Sequence, residues 1–120
     1  MMSETFEVES YYDGEHLIEQ LNNGAYYDFI FLDIHLTAMN GVDVGKWIRE
    51  ELKDYKTFII YISSDISYAM ELFQVQPFDF LIKPLKPEQV YNVIDKGICR
   101  LKESIRFLQY KKNKAMPYML

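Results

Sequence analysis

The chain has 120 residues, 49% hydrophobic and 16% aromatic, with a formal net charge of −5. That suffices for one domain with a buried core and is too apolar for a disordered tail. One cysteine, Cys99, excludes an internal disulfide framework and a thiolate zinc cluster, two histidines, His16 and His35, argue against an imidazole metal site, and no apolar run approaches the length of a bilayer span.

Taken in order, Thr5 to Tyr12 alternates Phe6, Val8 and Ser10 with Glu7 and Glu9, the period of a short strand near a sheet edge. No basic region followed by an apolar block opens the chain, so the default compartment is the cytoplasm. Asp13-Gly14 is a turn. Glu15 to Asn23 places Leu17, Ile18 and Leu21 at helical spacing and stops at Asn22-Asn23-Gly24. Asp28 to Asp33 contains the apolar run Phe29 to Leu32, which suits a strand buried on both faces of a parallel sheet, and it ends on a carboxylate. Leu36 to Gly41 is a turn-forming segment. Gly41 to Leu52 is a helix with Val44, Trp47, Ile48 and Leu52 on one face, where Trp47 fills core.

Thr57 to Ile62 is the most strand-like run and ends in Ser63-Ser64-Asp65. Ser67 to Gln74 predicts a short helix with Ala69, Met70 and Phe73 inward. Phe78 to Ile82 is a short strand that ends in Lys83-Pro84. Pro87 opens the last helix, amphipathic through Val90, Val93, Ile94, Ile98 and Leu101 to about Glu103. Ile105 to Leu120 alternates Phe107 and Gln109 with Leu108 and Tyr110 and predicts a strand and turn. Charge is divided unevenly: residues 1–95 carry 17 acidic and 6 basic side chains, and residues 96–120 carry seven basic ones against Glu103. A basic run on a last helix is more often a solvated face than a nucleic-acid contact.

Helices alternating with buried β-branched strands predict an α/β fold with a parallel sheet. Three strands then end in Asp33, Ser63 and Lys83 on one edge of that sheet, where open α/β folds place their chemistry. A carboxylate nucleophile beside an ammonium and a hydroxyl suits reversible phosphoryl transfer. A structural Asp–Lys pair with a capping serine would leave the same residues.

The residues Tyr27-Asp28-Phe29-Ile30-Phe31-Leu32-Asp33-Ile34, Asn40-Gly41, Ile60-Tyr61-Ile62-Ser63-Ser64 and Phe78-Asp79-Phe80-Leu81-Ile82-Lys83-Pro84 resemble the receiver domain of bacterial two-component response regulators. Ser67-Tyr68-Ala69 and Phe73-Gln74-Val75 are similar to the subgroup that precedes a LytTR-type DNA-binding domain. The resemblance implies a flavodoxin-like fold over roughly residues 5–104, with 105–120 a linker and the opening of an output domain. It implies Asp33 as phosphoacceptor, Ser63 as the hydroxyl on the phosphoryl oxygen, and Lys83 as its ion partner. It implies a Ser63–Phe80 switch, a cis bond before Pro84, and Mg²⁺ held by Asp33, the His35 main-chain carbonyl and an acidic pair. The implied partners are a histidine kinase and a DNA-binding output domain, with a homodimer allowed. No membrane partner is implied, and nucleic acid is reached only through the missing domain. No enzymatic turnover of an outside small molecule is expected.

The chain departs from that pattern at its N-terminal side. A complete receiver opens with a strand ending in adjacent acids, followed by a helix. Here no acidic pair ends an apolar run before Asp33. The expectation is therefore a receiver lacking its first strand and helix. It would be a fragment, a degenerate phosphate-independent interaction or dimerisation module, or a chain whose N-terminal segment fills the central position by exchange between subunits.

Overall fold

The structure, a computed structural model, describes residues 6–35, 39–65, 67, 72 and 74–114, the stretch 104–114 as helix backbone. The elements run α1 Gly14–Asn22, β1 Phe29–Asp33, α2 Gly41–Glu50, β2 Phe58–Ser63, β3 Asp79–Ile82 and α3 Pro87–Lys114. The strands form one parallel sheet in the order β1-β2-β3. This is an incomplete flavodoxin-like α/β fold. The chain divides into two compact units, one ending at Lys86 and one made by α3.

Local chemistry sets the ends of the first two helices. The Asp13 carboxylate accepts from the His16 N–H at 2.8 Å and caps α1, while Gly24, with φ of 103°, carries the chain away from its far end. The Asn40 side chain accepts from the Asp43 N–H at 3.0 Å and caps α2. At the start of β2, the Asp54 carboxylate accepts from the N–H of Lys56 and of Thr57. The buried Thr57 hydroxyl donates to the Tyr27 carbonyl at 3.0 Å, which ties the starts of β1 and β2 together.

One face of the sheet makes the core. Ile30, Leu32, Ile34, Ile59 and Tyr61 pack with Leu17 and Leu21 of α1, Val44 and Ile48 of α2, and Leu72 and Val75. Trp47 and Leu52 lie partly buried against that cluster, as their spacing predicts. Phe29, Phe58 and Phe78 form an aromatic row at the amino ends of the strands, with centroids 5.3 and 4.5 Å apart.

Two expectations are corrected. Phe6 to Tyr12 is not a strand. The Asp28 carbonyl accepts from the Phe58 N–H and the Ile34 N–H donates to the Ile62 carbonyl. In a parallel ladder, Phe29, Phe31 and Asp33 therefore turn their N–H and C=O groups away from β2. Among the described residues no strand pairs with that edge. Alternation alone makes no strand without a ladder partner, so Val8 is 83% exposed. The segment is held instead by side chains: the Tyr11 and Tyr27 hydroxyls meet at 2.5 Å and the Tyr27 hydroxyl donates to Glu9. Those hydrogen bonds, Glu9 first, raise the Tyr27 phenol above its ordinary value.

The second correction is at the other end. Residues 105–114 continue α3 to Lys114, where a strand and turn were expected. Elongating an existing helix costs little, and Arg106, Leu108, Gln109, Lys111 and Lys112 are good helix formers. Residues 115–120 lie outside the described ones. So do Leu36 to Ala38, and so do Ala69, Met70 and Phe73 of the helix expected over Ser67 to Gln74.

Candidate functional site

Asp33 closes β1, Ser63 closes β2 and Lys83 follows β3, all at the carboxyl edge of the sheet. The register aligns them: Asp33 pairs with Ile62 and Ser63 with Ile82. The Ile34 N–H donates to the Ile62 carbonyl and the Lys83 N–H to the Ser63 carbonyl, each at 3.0 Å, so the strand ends are fixed relative to one another.

The structure brings Asp33 and Lys83 together. Lys83 Nζ donates to Asp33 Oδ2 at 2.7 Å, and the side chains are 44% and 36% exposed. The other oxygen, Oδ1, accepts from the His35 N–H at 3.0 Å in an Asx turn. Partial burial pushes the Asp33 carboxyl up, but the Lys83 hydrogen bond, the His35 N–H and the charges of both residues hold it below the ordinary carboxylate value. Asp33 is therefore an ionised, reachable carboxylate at neutral pH.

Ser63 does not join that pair. It is fully buried, and its hydroxyl accepts from the Asp65 N–H at 3.0 Å. Toward the Asp65 carbonyl it lies at 3.4 Å, too long for a strong bond. Phe80 aligns with Tyr61, two places back from the Ser63–Ile82 pair, so Ser63 and Phe80 lie on the same face of neighbouring strands. Phe80 is half-buried against the core. The Lys83–Pro84 bond is cis, as expected.

Two supporting residues escaped the sequence reading. Gly41 sits so close to the Asp33 loop that a Cβ there would lie 2.6 Å from the Asp33 carbonyl oxygen, and its N–H donates to the Ile34 carbonyl at 2.8 Å. Asn-Gly marked the turn, but not this approach. Arg49 is 4% exposed. Its guanidinium donates to the carbonyls of Val75 at 2.7 Å, Asp54 at 2.7 Å and Gln76 at 3.2 Å, which ties α2 to the loop before β3. A lone Arg in the last turn of a helix carries no sequence signal for that role.

The donors do not make a complete Mg²⁺ site. Asp33 supplies one carboxylate, already engaged at both oxygens by the His35 N–H and by Lys83. Among the described residues no group of three or more His, Cys, Asp and Glu side chains could hold a metal ion. Mg²⁺ bound by one or two carboxylates draws the rest of its octahedron from water and substrate, and among the described residues no acidic pair joins Asp33.

The response regulator receiver domain family matches residues 1–95. The chain belongs to that family. Sensory transduction protein LytT of Oceanobacillus iheyensis is 42% identical over 60 residues, which is 50% of this chain and 24% of LytT. Transcriptional regulatory protein YpdB of Escherichia coli K12 is 30% identical over 69 residues, 58% of this chain and 28% of YpdB. Among solved structures, the receiver domain of AraT, a response regulator from Geobacillus stearothermophilus, superposes with a TM-score of 0.65 at 32% identity, covering 77% of this chain and 70% of that one. This receiver spans about a quarter to a third of the length of the curated relatives it matches. No helix among its described residues is long and apolar enough to cross a membrane.

Proposed function

We propose that this receiver accepts a phosphoryl group on Asp33 from a histidine kinase and relays the change to a LytTR-type DNA-binding output domain in the cytoplasm. The observation that carries this reading is the 2.7 Å Lys83–Asp33 contact at aligned strand ends. An Asp33 oxygen attacks phosphorus, the bond from phosphorus to the kinase imidazole breaks, and the imidazole leaves with the electron pair. Lys83 then follows the negative charge from the carboxylate to the phosphoryl oxygens. The Ser63 hydroxyl, whose proton is only weakly used at 3.4 Å, turns to donate to one of those oxygens. Its departure from the Asp65 loop opens room on the face it shares with Phe80, and the ring follows. The protein is a switch rather than an enzyme for an outside substrate.

A second reading has its own support. With a single carboxylate at the site, the chain also suits a phosphate-independent interaction module. Intact-mass analysis after incubation with acetyl phosphate and Mg²⁺ separates the two. The phosphoryl reading expects one substoichiometric adduct that disappears in Asp33→Asn. An unmodified chain, or an adduct that survives Asp33→Asn, favours the interaction module.

A further inference from the structure

Behind the face shared by Ser63 and Phe80 lies a packed junction that the phosphoryl chemistry does not use. Tyr61 aligns with Phe80 across the β2–β3 ladder and stands two residues before Ser63, so all three side chains share one face of the sheet. Tyr61 is fully buried, and its ring reaches across to α2. Gly45 leaves a slot for it there. A Cβ at that position would overlap the Tyr61 hydroxyl and lie 3.0 Å from both its Cζ and Val75 Cγ1. Glycine is a poor residue for a helix interior, so the ring it admits accounts for its place in α2.

The same face of α2 fixes the other side of the junction. Arg49 lies one turn after Gly45, and its buried guanidinium donates to the carbonyls of Val75 at 2.7 Å and Gln76 at 3.2 Å. Gln76 has φ of 55°, a left-handed conformation that a residue with a side chain rarely adopts. The clasp therefore holds a strained turn just before β3, the strand that carries Phe80. Tyr61 is packed between α2 and Val75, and Phe80 lies against the cluster to which Tyr61 belongs.

Among the described residues the Tyr61 hydroxyl has no hydrogen-bond partner. A buried hydroxyl without a partner is costly, so the packing in which Phe80 lies against this cluster is an unfavourable place for that oxygen. We propose that Tyr61 is the positioning residue for Phe80: seated in the Gly45 slot, it sets which way the Phe80 ring packs, and its unpaired hydroxyl keeps the alternative ring position within reach. When Phe80 swings away, Tyr61 gains room to tilt out of the slot and its hydroxyl meets water. The purpose of this device rests on the phosphoryl switch proposed above, and its geometry does not.

The test reads Phe80 directly in the full chain, labelled at that position as para-fluorophenylalanine, by fluorine NMR with no phosphoryl donor present. Two ring environments are expected. Tyr61→Phe removes the unpaired oxygen and keeps the ring, and it is expected to lower the minor environment by about fivefold. Gly45→Ala is expected to shift the balance the other way, and Tyr61→Phe in that background to reverse most of the shift. Leu21→Val loosens the same core from α1 and is expected to leave the balance unchanged. A single Phe80 environment, or a balance indifferent to Tyr61→Phe, overturns the proposal. An equal response to Leu21→Val also overturns it, because any loosening of the core would then move the ring. Should Gly45→Ala fail to fold, Tyr61→Phe and Leu21→Val decide between them. An Asp33 that takes no phosphoryl group defeats the phosphoryl reading and leaves this measurement standing.

Discussion

Lys83 and Asp33 are joined across an intervening strand: the ammonium donates to the carboxylate at 2.7 Å, although among the described residues β1 and β3 each pair with β2 alone. The contact depends on β2 holding both neighbours in register, so it reports on the whole sheet edge.

The first prediction concerns the charge on Asp33. Its carboxyl is held low in the fold. Its contribution to stability is complete above the unfolded value of about 3.9 and is lost as pH falls through the lower folded value. Both side chains are more than a third exposed, so the pair contributes less than about 1 kcal/mol. In Lys83→Met the carboxyl titration followed by NMR should move upward, because partial burial then acts with less opposition. An unchanged midpoint would show that the His35 N–H alone holds it.

Arg49 should matter more than its place on a surface helix suggests. Arg49→Met leaves the carbonyls of Val75, Asp54 and Gln76 without their donor. A loss of about 2–3 kcal/mol is expected in a denaturant melt. Arg49→Lys should recover only part of it, since an ammonium cannot match the guanidinium fork. Full recovery by Lys would reduce the role of Arg49 to that of a bare charge.

Tyr61 and Gly45 should be coupled. Among the described residues the buried Tyr61 hydroxyl has no hydrogen-bond partner, and a Cβ on Gly45 would overlap it. Tyr61→Phe should be neutral or stabilising by up to about 1 kcal/mol. Gly45→Ala should be far less costly in that background than in the original chain. Additive effects in this double-mutant cycle would mean that the two do not compete for space.

Phe80→Ala tests the switch. A fully buried phenylalanine costs about 3–5 kcal/mol on truncation. Phe80 is half-buried, so the expected loss is about 1–2 kcal/mol, within the lower part of the range for a large-to-small change. A loss above about 3 kcal/mol would assign the ring to the core and remove its freedom to turn.

Gly41→Ala would force the Asp33 carbonyl to move, since backbone rather than a flexible side chain lies 2.6 Å from the new Cβ. A loss of about 1–3 kcal/mol is expected, with the His35 amide resonance displaced by the shifted Asx turn. An unperturbed His35 resonance would show that α2 yields instead of the Asp33 loop.

Much of this receiver was legible in its residues one stretch at a time. Apolar period and β-branching marked the three strands. The turns at Asp13-Gly14 and Asn40-Gly41 preceded two helices, and the strand-end residues Asp33, Ser63 and Lys83 marked the candidate site. Each of these is written in neighbouring residues, because helix and strand periods and capping hydrogen bonds are local. Partners are not local, and the tertiary structure decided them. Phe6 to Tyr12 has the alternation of a strand but no ladder beside it. Ser63 sits at the right strand end, yet its hydroxyl faces Asp65 while the Lys83 ammonium reaches Asp33. Arg49 carries no local signal of its role, because the carbonyls of Val75 and Gln76 come within its reach from 26 and 27 residues away. The alternation at 105–110 was overruled by a helix already under way, since adding one more hydrogen-bonded residue is easier than starting a strand with nothing to pair.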